Sequence, residues 1–316
     1  MVSVPKFPPI PRLSIVIPIG RDLTAFERTL ISVLENPVDG SEVLVCHDGS
    51  YDDPFALGDE IRFVIADSDN PLDLISAGAS QARGRFVHVL SDGLRATRGW
   101  TDDALEAFEA YECGVVSPVI RHDTQGTIVS AGWSDGMDRL CQSASRGLKE
   151  IVSSGRQRTG AYLPASFWRR ELLRSVTDCI VSADVMEASY AFHHLVSQAG
   201  WTCSLASESE VLFDEDSLPW NQTSLNRGIR TQCLKNYFSG GGWSRSLSAA
   251  LWGAFASLTR PGQMLEVLGR GLAPTARPQL IERLRPTEVA VCNQHEMVVS
   301  MPSRDQAIEQ PRRRAA

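Results

Sequence analysis

The residues with the most evident chemical use lie in two acidic turns. One follows the apolar run EVLVC (42–46) and reads HDGSYDD over 47–53; the other ends the run RFVHVL (85–90) and reads Ser91-Asp92-Gly93. Phe86, Val87, Val89 and Leu90 have the content of a buried strand, which carries Asp92 to that strand's carboxyl end. Ligands of open α/β sheets bind along that edge, so a carboxylate there can hold a metal or a diphosphate. The plain alternative is that Asp92 only starts a turn with Gly93. Local sequence supports both uses equally.

The elements around these turns predict how they are positioned. Residues 13–18, LSIVIP, read as a buried strand stopped by proline and Gly20. Thr24 and Glu27 form a capping box for a helix whose Leu23, Phe26, Leu30 and Val33 share one face. Strands at 42–46, 61–66 and 85–91 and a helix at 72–82 follow. Alternating strands and helices imply right-handed crossovers and a mostly parallel sheet, so both acidic turns open on one edge.

The pattern continues with a helix at 101–112, N-capped by Thr101, and strands at 114–120 and 127–131. Residues 132–155 read as a loop-rich insertion. A strand at 161–163, a helix at 167–176, a helix at 184–198 closed by Gly200 and a strand at 202–207 complete this part. Beyond about residue 214 the pattern turns helical, at 225–238, 247–258 and 262–272. Leu247, Leu251, Trp252, Phe255 and Leu258 make an apolar face that suits a membrane surface or, more simply, the chain's own domain.

The totals narrow the classes. The 316 residues carry a formal charge of -7 and are 43% hydrophobic, which suits a globular chain of one large or two small domains. No basic stripe runs through the body, which argues against nucleic-acid binding. Seven scattered cysteines lack zinc or redox spacing and read as reduced structural thiols. The opening MVSVPKFPPIPR lacks a signal peptide's apolar core, and no stretch has the length to span a bilayer, so a cytoplasmic location is expected.

In order along the chain, LSIVIPIGR, EVLVCHDGSYDD, ARGRFVHVLSD, GVVSPVIRHDTQGTIVSAG, AYLPASFWRRELL and the helix from Asp184 to Trp201 resemble the successive motifs of a family-2 glycosyltransferase, of rhamnosyltransferase-like type. The resemblance covers residues 13–214. It implies a GT-A (Rossmann-like) α/β fold: a mixed, mostly parallel sheet with helices on both faces, plus a C-terminal helical extension. The expected organisation is an extended lead-in at 1–10, a GT-A-like domain at 11–214 with a nucleotide-sugar half to about 120 and an acceptor half beyond it, a helical extension at 215–300 and a disordered tail at 301–316.

The resemblance also implies a chemistry. A hydroxyl of a glycan, lipid or small acceptor attacks the anomeric carbon of a nucleotide sugar of UDP, dTDP or GDP type, with inversion. Pro18, Asp48, Gly49, Ser50 and Asp92 would bind the donor, Asp92 would hold Mg or Mn, and Glu187, or Asp184 in its place, would be the base. Arg83, Arg85, Arg95 or Arg98 would help neutralise the diphosphate. The C-terminal helices would allow peripheral membrane contact. Four motifs depart from the family's pattern: Asp-Asp-Gly-Ser reads His47-Asp48-Gly49-Ser50, Asp-X-Asp reads Ser91-Asp92-Gly93, the Arg-Asn before a glycine in the third helix reads Ile75 and Ser76 before Gly78, and the Glu-Asp pair is reduced to Glu187. The alternative they leave is an inactive GT-A-like protein that binds a nucleotide sugar or supports a partner enzyme.

Overall fold

The computed structural model describes residues 10–58, 60–136, 139–151, 160–180, 184–240, 251, 253, 261–281, 289 and 292. Among them the strands are β1 (Leu13–Pro18), β2 (Ser41–His47), β3 (Arg62–Ile65), β4 (Phe86–Leu90), β5 (Arg95–Ala96), β6 (Cys113–His122), β7 (Ile128–Ser130), β8 (Trp133–Ser134), β9 (Gln142–Ser143), β10 (Ala165–Arg169) and β11 (Thr202–Phe213). The helices are α1 (Leu23–Glu35), α2 (Pro71–Gln81), α3 (Asp102–Ala107), α4 (Arg170–Val176), α5 (Val185–Gln198), α6 (Leu225–Ser239) and α7 (Met264–Ile281). The lead-in at 1–9, the tail at 301–316 and nearly all of the helix expected at 247–258 lie outside the described residues.

The strands form a mixed sheet in the order β3-β2-β1-β4-β10-β6-β11-β5, with β7 on β6. The pairs of β1 with β2 and β4, of β2 with β3 and of β6 with β11 are parallel. β10 runs antiparallel between β4 and β6. All six residues of β1 are buried, as both faces of a covered sheet require. On one face Phe86 of β4 stacks on Phe108 beyond α3; on the other, Trp168 of β10 meets Phe192 of α5 edge to face. The expected α/β architecture, with helices on both faces of a mostly parallel sheet, is therefore present.

Local details differ from the sequence reading for physical reasons. The N-cap of α1 is Asp22, whose carboxylate accepts from the N–H groups of Thr24 and Ala25, in place of a Thr24 to Glu27 box. Residues 167–169 are strand: Phe167 and Trp168 point to opposite faces, both apolar, so the run shows no alternation and mimics a helix start. Strand β11 is twice the expected length, and the insertion holds the small β8–β9 hairpin.

Two buried charge clusters brace the fold. At the amino end of the parallel strands, Glu42 accepts from Ser14 Oγ, the Arg83 N–H, Arg62 and Arg83 Nε at 2.7–3.0 Å. Burial alone would raise its pKa, but these bonds more than offset that and hold it below the ordinary carboxylate range. On the far side, Glu266 of α7 is enclosed by Arg227 of α6 and by Arg139, whose Nε lies 3.1 Å away. Arg227 also donates to the carbonyls of Leu140 and Cys141 and to Asn221. The two helices cross backbone to backbone: a methyl group at Gly228 would sit 2.0 Å from the Glu266 carbonyl, and one at Gly269 2.1 Å from that of Leu225.

Candidate active site

Because β1, β2 and β4 are parallel, their carboxyl ends share one edge of the sheet. Pro18 ends β1 there, buried beside Cys46 of β2, and the chain turns at Ile19 and Gly20. Ser91 and Asp92 follow β4. The Asp92 carboxylate lies directly over Gly20, where an added methyl would be 2.2 Å from Oδ2, so only glycine leaves it room. Half-buried, Asp92 has its pKa raised by loss of hydration, partly offset by its own N–H and increased further by the nearby Asp22 charge. Its protein surroundings therefore disfavour the very charge that a cation would stabilise.

The turn after β2 is exposed at Asp48, Gly49 and Ser50. Asp48 Oδ1 accepts from Ser50 Oγ at 2.5 Å and from the Ser50 N–H at 3.0 Å, and these bonds lower its pKa. It is a turn-former and a presented carboxylate at once. His47 is buried and its Nδ1 accepts from the Gly49 N–H, so it shapes the turn. Sequence reasoning overlooked the aromatic wall beside it. Tyr51 stacks on Phe63 at 5.9 Å and meets Phe26 edge on at 5.4 Å, and among the described residues its buried hydroxyl has no hydrogen-bond partner. The available signal was an aromatic residue directly after HDGS.

Helix α5 comes to the same edge. The Ser91 N–H donates to the Pro164 carbonyl, and the N–H of the preceding residue, Leu163, donates to Ser189 Oγ, two residues beyond Glu187. Glu187 is fully buried in the first turn of α5. Asp184 is the N-cap, accepting from the N–H groups of Met186 and Glu187 at 3.0 and 3.2 Å, so its carboxylate has a structural task at the start of the helix. Both carboxylates face Arg230 of α6. His193 and His194 diverge along α5, packing on Trp133 and Phe238 respectively.

Three of the four arginines expected at a diphosphate lie away from this edge, and the fourth, Arg95, is engaged by carboxylates. Arg83 belongs to the Glu42 cluster and Arg85 lies over the Phe86 ring, both at the opposite end of the sheet. Arg98 lines a cavity of about 550 Å³ there with Arg12, and Arg95 is held by Asp214 and Asp123. Strand polarity explains Arg83 and Arg85: residues that precede β4 cannot reach its carboxyl end.

Among the described residues, no three His, Cys, Asp or Glu side chains converge as a metal-binding group. A cation at this edge would rest on Asp92 and complete its shell with phosphate oxygens and water, as magnesium often does. The half-buried Asp92 carboxylate, which burial and the Asp22 charge push toward its neutral form, fits such a site.

Comparison with known proteins adds little to these observations. No protein-family model matches the chain, and no curated protein matches it. One similar solved structure is the mannosyltransferase PcManGT from Pyrobaculum calidifontis in complex with GDP-Man and Mn2+, at 15% identity and a TM-score of 0.46, covering 84% of this chain and 76% of that one. Among the described residues, no helix is long and apolar enough to cross a membrane.

Proposed function

We propose that the protein is a glycosyltransferase of the hexosyl-transferring class, with a family-2, GT-A-like domain at 11–214 and a helical extension at 215–300. The carrying observation is convergence. Pro18, the Asp48 to Ser50 turn and Asp92 follow the carboxyl ends of β1, β2 and β4, and α5, whose first turn carries Glu187, is tied to that edge through Ser189, Leu163 and Pro164, which supports the reading. Asp48 and the Tyr51–Phe63 wall would hold the nucleoside, the wall by stacking on its base. Asp92 would hold Mg or Mn, which supplies charge neutralisation at the leaving diphosphate. Glu187 would take the proton of the acceptor hydroxyl as its oxygen attacks the anomeric carbon, and a single base on one side suits inversion.

The donor is of UDP, dTDP or GDP type and the acceptor a glycan, lipid or small molecule, on the family resemblance. A cytoplasmic setting, peripheral to the membrane through the C-terminal helices, accords with that reading. Calorimetry with the three nucleoside diphosphates, with and without Mg or Mn, tests it. One diphosphate should bind, more tightly with metal, and incubation with the matching nucleotide sugar should give transfer or hydrolysis. Absence of binding, transfer and hydrolysis across the panel would refute the proposal.

A second reading is a nucleotide-sugar-binding protein without turnover. The reduction of the acidic motif to Asp92 favours it. Tight donor binding with no turnover on any acceptor would select it.

A further inference from the structure

Helix α6 approaches the site from outside the sheet. Nη1 of Arg230 lies 3.5 Å from Oδ2 of Asp184 and 3.7 Å from Oε2 of Glu187. The Glu187 side chain is 1% exposed, whereas that of Arg230 is 30% exposed. A carboxylate so deeply placed loses hydration, which favours its protonated form, and a guanidinium within 4 Å opposes that change. Arg230 is held in place by its neighbours on the helix. One turn earlier Arg227 is locked to Glu266, Leu140, Cys141 and Asn221, and Gly228 seats α6 against α7.

We infer that Arg230 is a positioning residue of the active site, which keeps Glu187 ionised, and so ready to accept a proton, at neutral pH. This rests on the reading of Glu187 as the base. The other charges around α5 have engagements of their own. Asp184 caps the helix and shares Arg230. Lys235 of α6 pairs with Asp135, which also accepts from Tyr190. His193 and His194 lie farther along the helix, against aromatic rings. On α4, Arg170 and Arg174 pair with Glu171, and Asp73 of α2 accepts from Ser68. Among the described residues Arg230 is a cation that reaches Glu187, and it comes from the helical extension. The extension would thus complete the acceptor side of the site.

Arg230→Gln removes the charge and Arg230→Lys restores it. In Arg230→Gln the acid limb of the transfer rate should move up by one pH unit or more, so that turnover at pH 6 falls about tenfold relative to pH 8, with the donor KM unchanged. Arg230→Lys should return the limb toward wild type. A loss by the same factor at every pH would mark a merely structural residue and overturn the inference. Urea unfolding provides a readout that needs no turnover. If Arg230 is the charge that keeps Glu187 ionised, Arg230→Gln should lose stability relative to wild type as pH rises above the ordinary carboxylate range. Adding Glu187→Gln should abolish that slope, and a slope that survives it overturns the inference. If wild type transfers no sugar, the glycosyltransferase reading fails, and the unfolding experiment alone decides the role of Arg230.

Discussion

Glu42 and Asp92 stand at opposite ends of the same sheet, and their surroundings treat them in opposite ways. Glu42 is buried, but four donors from Ser14, Arg62 and Arg83 hold it ionised. Asp92 is half-buried over Gly20, and burial with the Asp22 charge pushes its pKa up. A carboxylate whose partners are all supplied by the protein contributes stability. One left short of cationic partners costs stability and awaits a partner from solution. The amino end of the sheet is the brace and the carboxyl end is the candidate site.

The largest effect expected on this contrast is at the brace. Glu42→Ala strands Arg62, Arg83 and Ser14 without their acceptor and should lower stability by about 3 kcal/mol in urea unfolding, the lower end of the range for breaking a buried pair, because both arginines are partly exposed. A loss below about 1 kcal/mol would remove the distinction.

Next is Asp92→Asn, which should reduce transfer by about 100-fold while raising stability at pH 7 by about 1 kcal/mol. A variant that loses both activity and stability would show Asp92 to be structural, like Glu42. A smaller effect follows from metal: Mn or Mg should raise the melting temperature of wild type by roughly 2–4 °C and leave Asp92→Asn unmoved.

The smallest is a difference in pH response. The folded pKa of Glu42 is lowered, so its stabilisation is present above its unfolded value of about 4.3 and is lost as pH falls through the lower folded value. The folded pKa of Asp92 is raised, so its penalty grows as pH rises above its unfolded value of about 3.9. Unfolding curves of wild type against each variant between pH 3 and 6 should therefore separate in different windows. Coincident windows would contradict the assignment.

Much of this arrangement can be read along the chain. The strands β1, β2 and β4 and their acidic turns were visible because buried parallel strands are continuous apolar runs that end sharply in Gly, Asp and Ser. The start of α5 at Asp184 is visible too, because helix starts are set by local residue types. What stayed hidden depends on distant partners. Arg230 becomes informative only once α6 lies on α5, and Glu266 only once it meets Arg227, 39 residues earlier. Arg83 and Arg85 emerge at the opposite end of the sheet for another reason: composition shows charge but not the end of a strand at which it emerges. Strand β10 was taken for helix because its two apolar faces erase the alternation by which a strand is recognised.

The placement of β10 has a consequence during synthesis. The hydrogen-bonding side of β4 that faces away from β1 is completed by Ala165 to Arg169, which begin 75 residues after Leu90. At ordinary elongation rates of about 5–20 residues per second, that edge waits about 4–15 s with its N–H and C=O groups unpaired. An open strand edge of this kind recruits other chains. The nascent half-sheet is therefore the stage at which this protein is most exposed to aggregation. Slowing translation between residues 91 and 164 should lower its soluble yield without altering the folded product.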